Sequence, residues 1–200
     1  PYTTLFRSYS NETVSPKYNP LDEDILLSDA LNNTQSKAEK DSILALSQTV
    51  NTSKSFNVTG AKVNIKSKTP QFYDPANVTV SYSYSETNQH SAEIQKNMTT
   101  DRRAAVSYNY SFNTQPVEPF KKVKALESPA FKIIKDFNFN YLPSSISFNT
   151  NMNRQFTMSQ LRNLTASENV VNDTYSREFL WNRQFDIKYD LTRALKFSFQ

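Results

Sequence analysis

The chain has no cysteine, one histidine and one glycine in 200 residues. Without cysteine there is no disulfide framework, no thiolate metal site and no thiol nucleophile. One glycine, against an average near 7%, argues against a loop that cradles phosphate and for long sheets. The histidine, His90, stands in a polar stretch, ETNQHSAE, with no acidic partner at fixed geometry, and reads as a solvated residue. No run approaches the roughly 18 apolar residues of a membrane helix. The net charge of +4 is scattered, so nucleic acid finds no electrostatic footprint. The acids Asp22, Glu23 and Asp24 lack calcium-loop spacing. Nothing assembles a nucleophile, a base and an orienting group, so the expectation is no enzyme, no catalytic or metal residue and no cofactor. The Asn-X-Ser/Thr triplets fall within strands as often as in loops, and composition explains them.

What remains is aromatic and polar. The chain carries 14 Phe and 11 Tyr, yet only 37% hydrophobic residues, too few for a large packed core. Half-wet strands lower hydropathy in the same way, so the mean hydropathy of −0.66 leaves a transmembrane barrel open. The clearest pattern lies in Phe179–Gln200. Phe179, Trp181, Arg183, Phe185, Ile187, Tyr189 and Leu191 alternate with mostly polar residues, which predicts a strand with one apolar and one wet face. The pattern resumes at Leu195, Phe197 and Phe199 after Thr192-Arg193-Ala194, predicting a hairpin that sets Tyr189 opposite Phe197 and Ile187 opposite Phe199.

Further strands are expected over 53–66, 77–85, 103–112 and 144–158, and more weakly before Val14. In 53–66 the apolar phase slips by one at Gly60, the signature of a β-bulge. Val78, Val80, Tyr82 and Tyr84, then Val106, Tyr108 and Tyr110, then Ile146 and Phe148 carry the apolar phase; with Phe185, Ile187, Tyr189, Phe197 and Phe199 they form the candidate lipid-facing set. Ser81, Ser83, Ser107, Asn109, Asn149, Asn151, Asp186 and Lys188 belong to the other face. Segments 15–24, 86–100 and 159–176 read as loops. Lys37–Val50 reads as a helix with a capping box of Ser36 and Glu39, and Ser128-Pro129 opens a second short helix to about Asp136, against which Phe131, Ile133, Lys135, Phe137, Phe139 and Tyr141 also fit the period of a strand over 131–141. Two residues break the apolar phase, Arg154 and Arg183. Arginine is costly at a bilayer midplane and cheap at an interface, so both are expected at one outer rim, at similar height.

The fold class expected is therefore all-β: an open antiparallel sheet of about five to seven strands from a transmembrane β-barrel, with one or two short helices in connections. Long loops on one side and tighter links on the other orient it, with 16–50 as an extracellular loop with a short helix and 114–143 as a periplasmic helical insert. The start at Pro1 and a strand running to the last residues suggest that 1–200 is one fragment of a larger barrel.

Several segments resemble one family, the giant outer-membrane translocon of the Bacteroidetes type IX secretion system, known as SprA or Sov. They are KYNPLDEDI (17–25), VTVSYSYSETN (78–88), VEPFKKVKA (117–125), IIKDFNFNYLPSSISFNTNMNRQF (133–156), LRN (161–163) and FDIKYDLTRALKFSF (185–199), in the family's order. The segment 133–156 is the most specific. The resemblance implies a piece of a channel that passes folded secreted cargo proteins through the bacterial outer membrane and, in gliding species, exports surface adhesins. It also implies an outer-membrane shuttle barrel and a periplasmic plug protein as partners, besides the lipid. A TonB-dependent transporter barrel and a secreted β-sandwich binding module are the alternatives.

Overall fold

The computed structural model describes residues 3–64, 69–123, 128, 131–163 and 171–200. Strand β1 (Thr4–Val14) is followed by a small hairpin, β2 (Tyr18–Asn19) and β3 (Asp22–Leu26), and by helices α1 (Leu27–Asn33) and α2 (Lys37–Ser47). Then come β4 (Thr49–Ala61), β5 (Val78–His90), β6 (Ile94–Ser111), a single-turn helix α3 (Lys132–Lys135), β7 (Ser145–Leu161), β8 (Thr174–Asp190) and β9 (Lys196–Phe199). Seven of the strands make one sheet in the order β1-β4-β5-β6-β7-β8-β9, every neighbour antiparallel.

Register follows the hydrophobic phase. Tyr108 sits between Val78 and Phe148, and Phe148 sits opposite Phe185. Ile146 faces Ile187, which faces Phe199, and Tyr189 faces Phe197 as the hairpin pattern predicts. Because side chains alternate along a strand, these partners share one face. A slip of one residue in any strand would turn its aromatic set to the polar side. The slip at Gly60 is real. Val58 pairs with Tyr82 and Ala61 with Val80, and Gly60 has φ 69° in the left-handed region that a side chain disfavours. The bulge returns the apolar phase to the correct face. Ile65, expected in that phase, lies outside the described residues.

The strands run further than the expected boundaries. The segment 86–100 is not a loop: β5 continues to His90, β6 starts at Ile94, and a tight turn joins them, with the Ser91 N–H donating to the Ile94 carbonyl at 2.9 Å. His90 therefore lies in the ladder opposite Val50. Likewise β8 begins at Thr174, five residues before Phe179. Most residues there are polar and the few apolar ones are too sparse to set a hydropathy period, yet backbone hydrogen bonds extend the ladder regardless. Connection lengths also fail to orient the sheet as expected. The end holding the tight 91–93 turn also holds the long 15–48 excursion, and the end holding the 191–195 turn holds two long links, 62–77 and 112–144.

The 16–50 region is more structured than a loop with one helix. It contains the β2–β3 hairpin, α1 and α2, and Leu27 of α1 is the one buried hydrophobic side chain among the described residues. Ser36 occupies the N-cap of α2, but its side chain makes no capping bond, so the capping box does not form. Among the described residues of the 114–143 region, the α-helix is the four residues of α3. The Ser128-Pro129 start lies partly outside the described residues. The other described residues of the link are closed on themselves by the Val117–Phe139 bridge, and they dock on the β8–β9 turn through the Asn140 amide donating to the Asp190 carbonyl (2.6 Å) and the Arg193 N–H donating to Asn138 Oδ1 (2.9 Å).

Candidate functional site

The sheet presents two chemically opposite surfaces. On the aromatic face, rows of cross-strand neighbours run Tyr110–Ile146–Ile187–Phe199, then Val78–Tyr108–Phe148–Phe185, then Val80–Val106–Thr150–Arg183, then Leu5–Val58–Tyr82–Ala104–Met152–Trp181. No helix and no second sheet of the described residues covers these rows. Phe185 is 61% exposed, Phe199 59% and Trp181 51%. Burying such groups is worth roughly 1.5–3 kcal/mol each, so a face that leaves them bare needs an apolar neighbour outside the chain.

The polar face is built from small hydrogen-bonding residues: Ser81, Ser83, Ser85, Ser107, Asn109, Ser147, Asn149 and Asn151, with Asp186 and Lys188 near the hairpin end. Ser147 Oγ–H donates across the ladder to Asp186 Oδ2 at 3.3 Å. A hollow of about 510 Å³ crosses this face from Asn57 on β4 to Asn182 on β8. The small side chains lining this hollow leave room for the sheet to bend toward that side, because they crowd less on the inside of a bend.

The lower edge of the aromatic rows is tied to the links. Tyr108 and Tyr110 donate their hydroxyls to the carbonyls of Phe72 (2.7 Å) and Pro70 (3.1 Å), and Tyr189 donates to that of Asn140 (2.7 Å). These three tyrosines thus have their polar tips covered by chain while their rings stay on the face. Below them, Glu118 binds both Lys121 and Arg193, the latter at 2.6 Å, and clamps the insert to the hairpin turn. The bond from Lys121, then its charge and that of Arg193, holds the Glu118 carboxyl below its ordinary 4.5.

Charge is divided between the faces, a feature the sequence reading reached only at Arg154 and Arg183. The register puts Arg7, Lys54, Lys96, Arg102, Arg154, Arg177 and Arg183 on the aromatic side, with Glu86 as the acid. The polar side holds Glu12, Asp101, Glu178, Asp186 and Asp190 against Arg103, Lys188 and Lys196. Arg7, Lys54, Arg102, Arg154 and Arg177 fall in two adjacent rows directly above the apolar ones. The signal was present, since each keeps the parity of its strand's apolar residues.

Arg154 and Arg183 do not share a height. Arg154 is opposite Phe179, whereas Arg183 is opposite Thr150, four positions (150 against 154) nearer the hairpin. Arg154 is nine residues from the start of β7 and seven from its end (154 − 145 and 161 − 154), and Arg183 stands the same distances along β8 (183 − 174 and 190 − 183), so both are in mid-strand and the expected rim position holds for neither. The Arg183 guanidinium lies 4.2 Å from the Trp181 ring centroid, and the Trp181 indole N–H donates to Thr150 Oγ1 at 2.7 Å. No carboxylate of the described residues pairs with it.

No protein-family model matches the chain, and no curated protein matches it.

Proposed function

We propose that this chain is a stretch of wall from a bacterial outer-membrane β-barrel, with its aromatic face against lipid and its Ser/Asn face on a water-filled lumen. The observation that carries the reading is the bare aromatic face of a single seven-stranded meander, bounded by tyrosines below and a basic belt above. The dimensions fit. Phe179 and Tyr189 lie ten residues apart (189 − 179) in β8. At about 3.3 Å per residue and a tilt of about 40°, those ten residues give about 25 Å, the height of the apolar band of such barrels.

The sequence resemblance makes the barrel a protein-translocation channel of the type IX secretion kind, with folded secreted proteins as cargo and a shuttle barrel and a periplasmic plug as partners. A TonB-dependent transporter would need the same wall, and a cargo-secretion assay separates the two. A β-sandwich is disfavoured by the lack of a second layer: besides the seven-stranded sheet, the described strands offer the two-stranded β2–β3 pair.

These 200 residues carry no cysteine, so an introduced one is the single thiol of this stretch of wall, and the unsubstituted protein supplies the labelling baseline. In the protein carrying this chain, Phe185→Cys and Asp186→Cys differ by one residue and by face. In intact outer membranes a water-soluble maleimide should label Cys at 186 and spare Cys at 185 until detergent is added. Equal labelling of both, or recovery of the protein without detergent, sinks the barrel reading. Retention of cargo secretion after deletion of β5 to β8 sinks the translocon.

A further inference from the structure

Arg102 on β6 and Arg154 on β7 are direct register partners, so two guanidinium stems leave the aromatic face side by side. Like charges placed directly opposite destabilise a sheet. No carboxylate of the described residues relieves them. The one acid near them on that face, Glu86, accepts from the Tyr84 hydroxyl (2.5 Å) and the Asn88 amide (2.7 Å) and lies 3.9 Å from Lys54 Nζ. Arg177 joins from β8, its guanidinium 5.5 Å from the Phe156 ring centroid, and Arg102 lies 5.7 Å from that of Tyr84. All three arginines line one groove of about 390 Å³, walled by those two rings, and Glu86, engaged by Tyr84, Asn88 and Lys54, lines it with them.

We infer that this groove holds the phosphate of an anionic lipid headgroup, an assignment that rests on the outer-membrane reading above. Three planar forks lining one groove offer donors to a tetrahedral oxyanion, and a bound dianion converts the Arg102–Arg154 repulsion into two attractions. The groove opens on the aromatic side, so its ligand arrives from the medium that wets that side. It lies directly above the row that runs Tyr82–Ala104–Met152–Trp181. Acyl chains hanging from a phosphate here run down past Ala104, Met152 and Val106. Across Tyr84 a second groove of about 410 Å³ carries Arg7 and Lys54 and continues the belt.

The test uses the protein carrying this chain, purified from outer membranes in mild detergent and moved into phosphatidylcholine nanodiscs with or without lipid A. Retained lipid A is counted by native mass spectrometry, and folding is checked by heat-modifiable migration. Arg102→Gln/Arg154→Gln should lower retention by about tenfold or more per lost guanidinium, since each charge-assisted contact is worth about one factor of ten. Arg183→Gln, below the groove, should leave it unchanged. If the double variant fails to fold, Arg177→Gln alone carries the same expectation at about one tenfold step. Unchanged retention in a folded variant overturns the site. Arginine-dependent binding of inorganic phosphate without lipid, or an acidic protein in the groove, overturns the lipid assignment. Wild-type protein recovered without detergent sinks the membrane reading instead, whereas a detergent-dependent barrel with arginine-independent lipid sinks only this site.

Discussion

Arginine at Val106 should cost the folded protein about 2–4 kcal/mol, while arginine at the next residue, Ser107, should change stability by no more than about 0.5 kcal/mol. The two positions share a strand, a depth and a ladder; they differ in face. Val106 lies between Val80 and Thr150, and Ser107 between Thr79 and Asn149. Val106 is four residues from Arg102 on one side and from Tyr110 on the other (106 − 102 and 110 − 106). Four residues of tilted strand span about 10 Å of depth, too far for a guanidinium to reach either edge along its own stem. At Ser107 the added charge meets Asn, Thr and water. Urea titrations of the purified protein in lipid vesicles, with the folded fraction read from the heat-modifiable band, give both values from midpoints at a common slope. Equal losses at the two positions, or a larger loss at Ser107, refute the assignment of faces.

Arg183 supplies the reverse experiment. Arg183→Leu removes a mid-strand charge at the cost of its stacking on Trp181, and should gain about 1–2 kcal/mol in the same titration. A loss above about 1 kcal/mol would place its guanidinium in water or against an unseen acid. Gly60→Ala should cost about 1–2 kcal/mol, because alanine at φ 69° meets a steric penalty that glycine escapes, and an unshifted urea midpoint would deny that the bulge needs its glycine. The Glu118 clamp gives a pH signature. Its carboxyl is held below the ordinary value by Lys121 and Arg193, so its contribution is present above that value and lost as pH falls through the lowered one. Limited proteolysis should therefore cut the 112–144 link faster in that acid range than at neutral pH, and Glu118→Gln should abolish the pH step.

The parts of the fold legible in the sequence were those where one face is apolar. The terminal hairpin, the faces of 77–85, 103–112 and 144–158, and the bulge at Gly60 all follow from period-two alternation with an unambiguous phase. The reading failed where apolar residues are too sparse to set a period. Thr87, Asn88, Gln89 and Asn97 carry no hydropathy period, yet they form ladder pairs as regular as those below them. A strand boundary drawn at the end of the apolar band marks the band, not the strand. The same error displaced both phase-breaking arginines, since Arg183 was counted from Phe179 rather than Thr174, and Arg154 from Met158 rather than Leu161. Helix α1 was missed because Leu27, Ala30 and Leu31 form too short a stripe to rise above the acidic run before them. The paired arginines were invisible for another reason: Arg102 and Arg154 are fifty-two residues apart (154 − 102), and only the register brings them together.

The inequality of the two faces also has a mechanical meaning. Serines and asparagines on one side and tyrosines, phenylalanines and a tryptophan on the other make the sheet behave like a strip of two metals, with a preferred sense and degree of bend. Straightening it would open gaps between the large rings, and bending it further would press the small side chains together. Curvature is therefore stored in side-chain volume along every strand rather than in a few kinks, which fits a chain with one glycine. If such a strip closes on itself, its bore depends on that stored bend. Swapping serines for leucines along one polar row would act as a shim and force a wider ring.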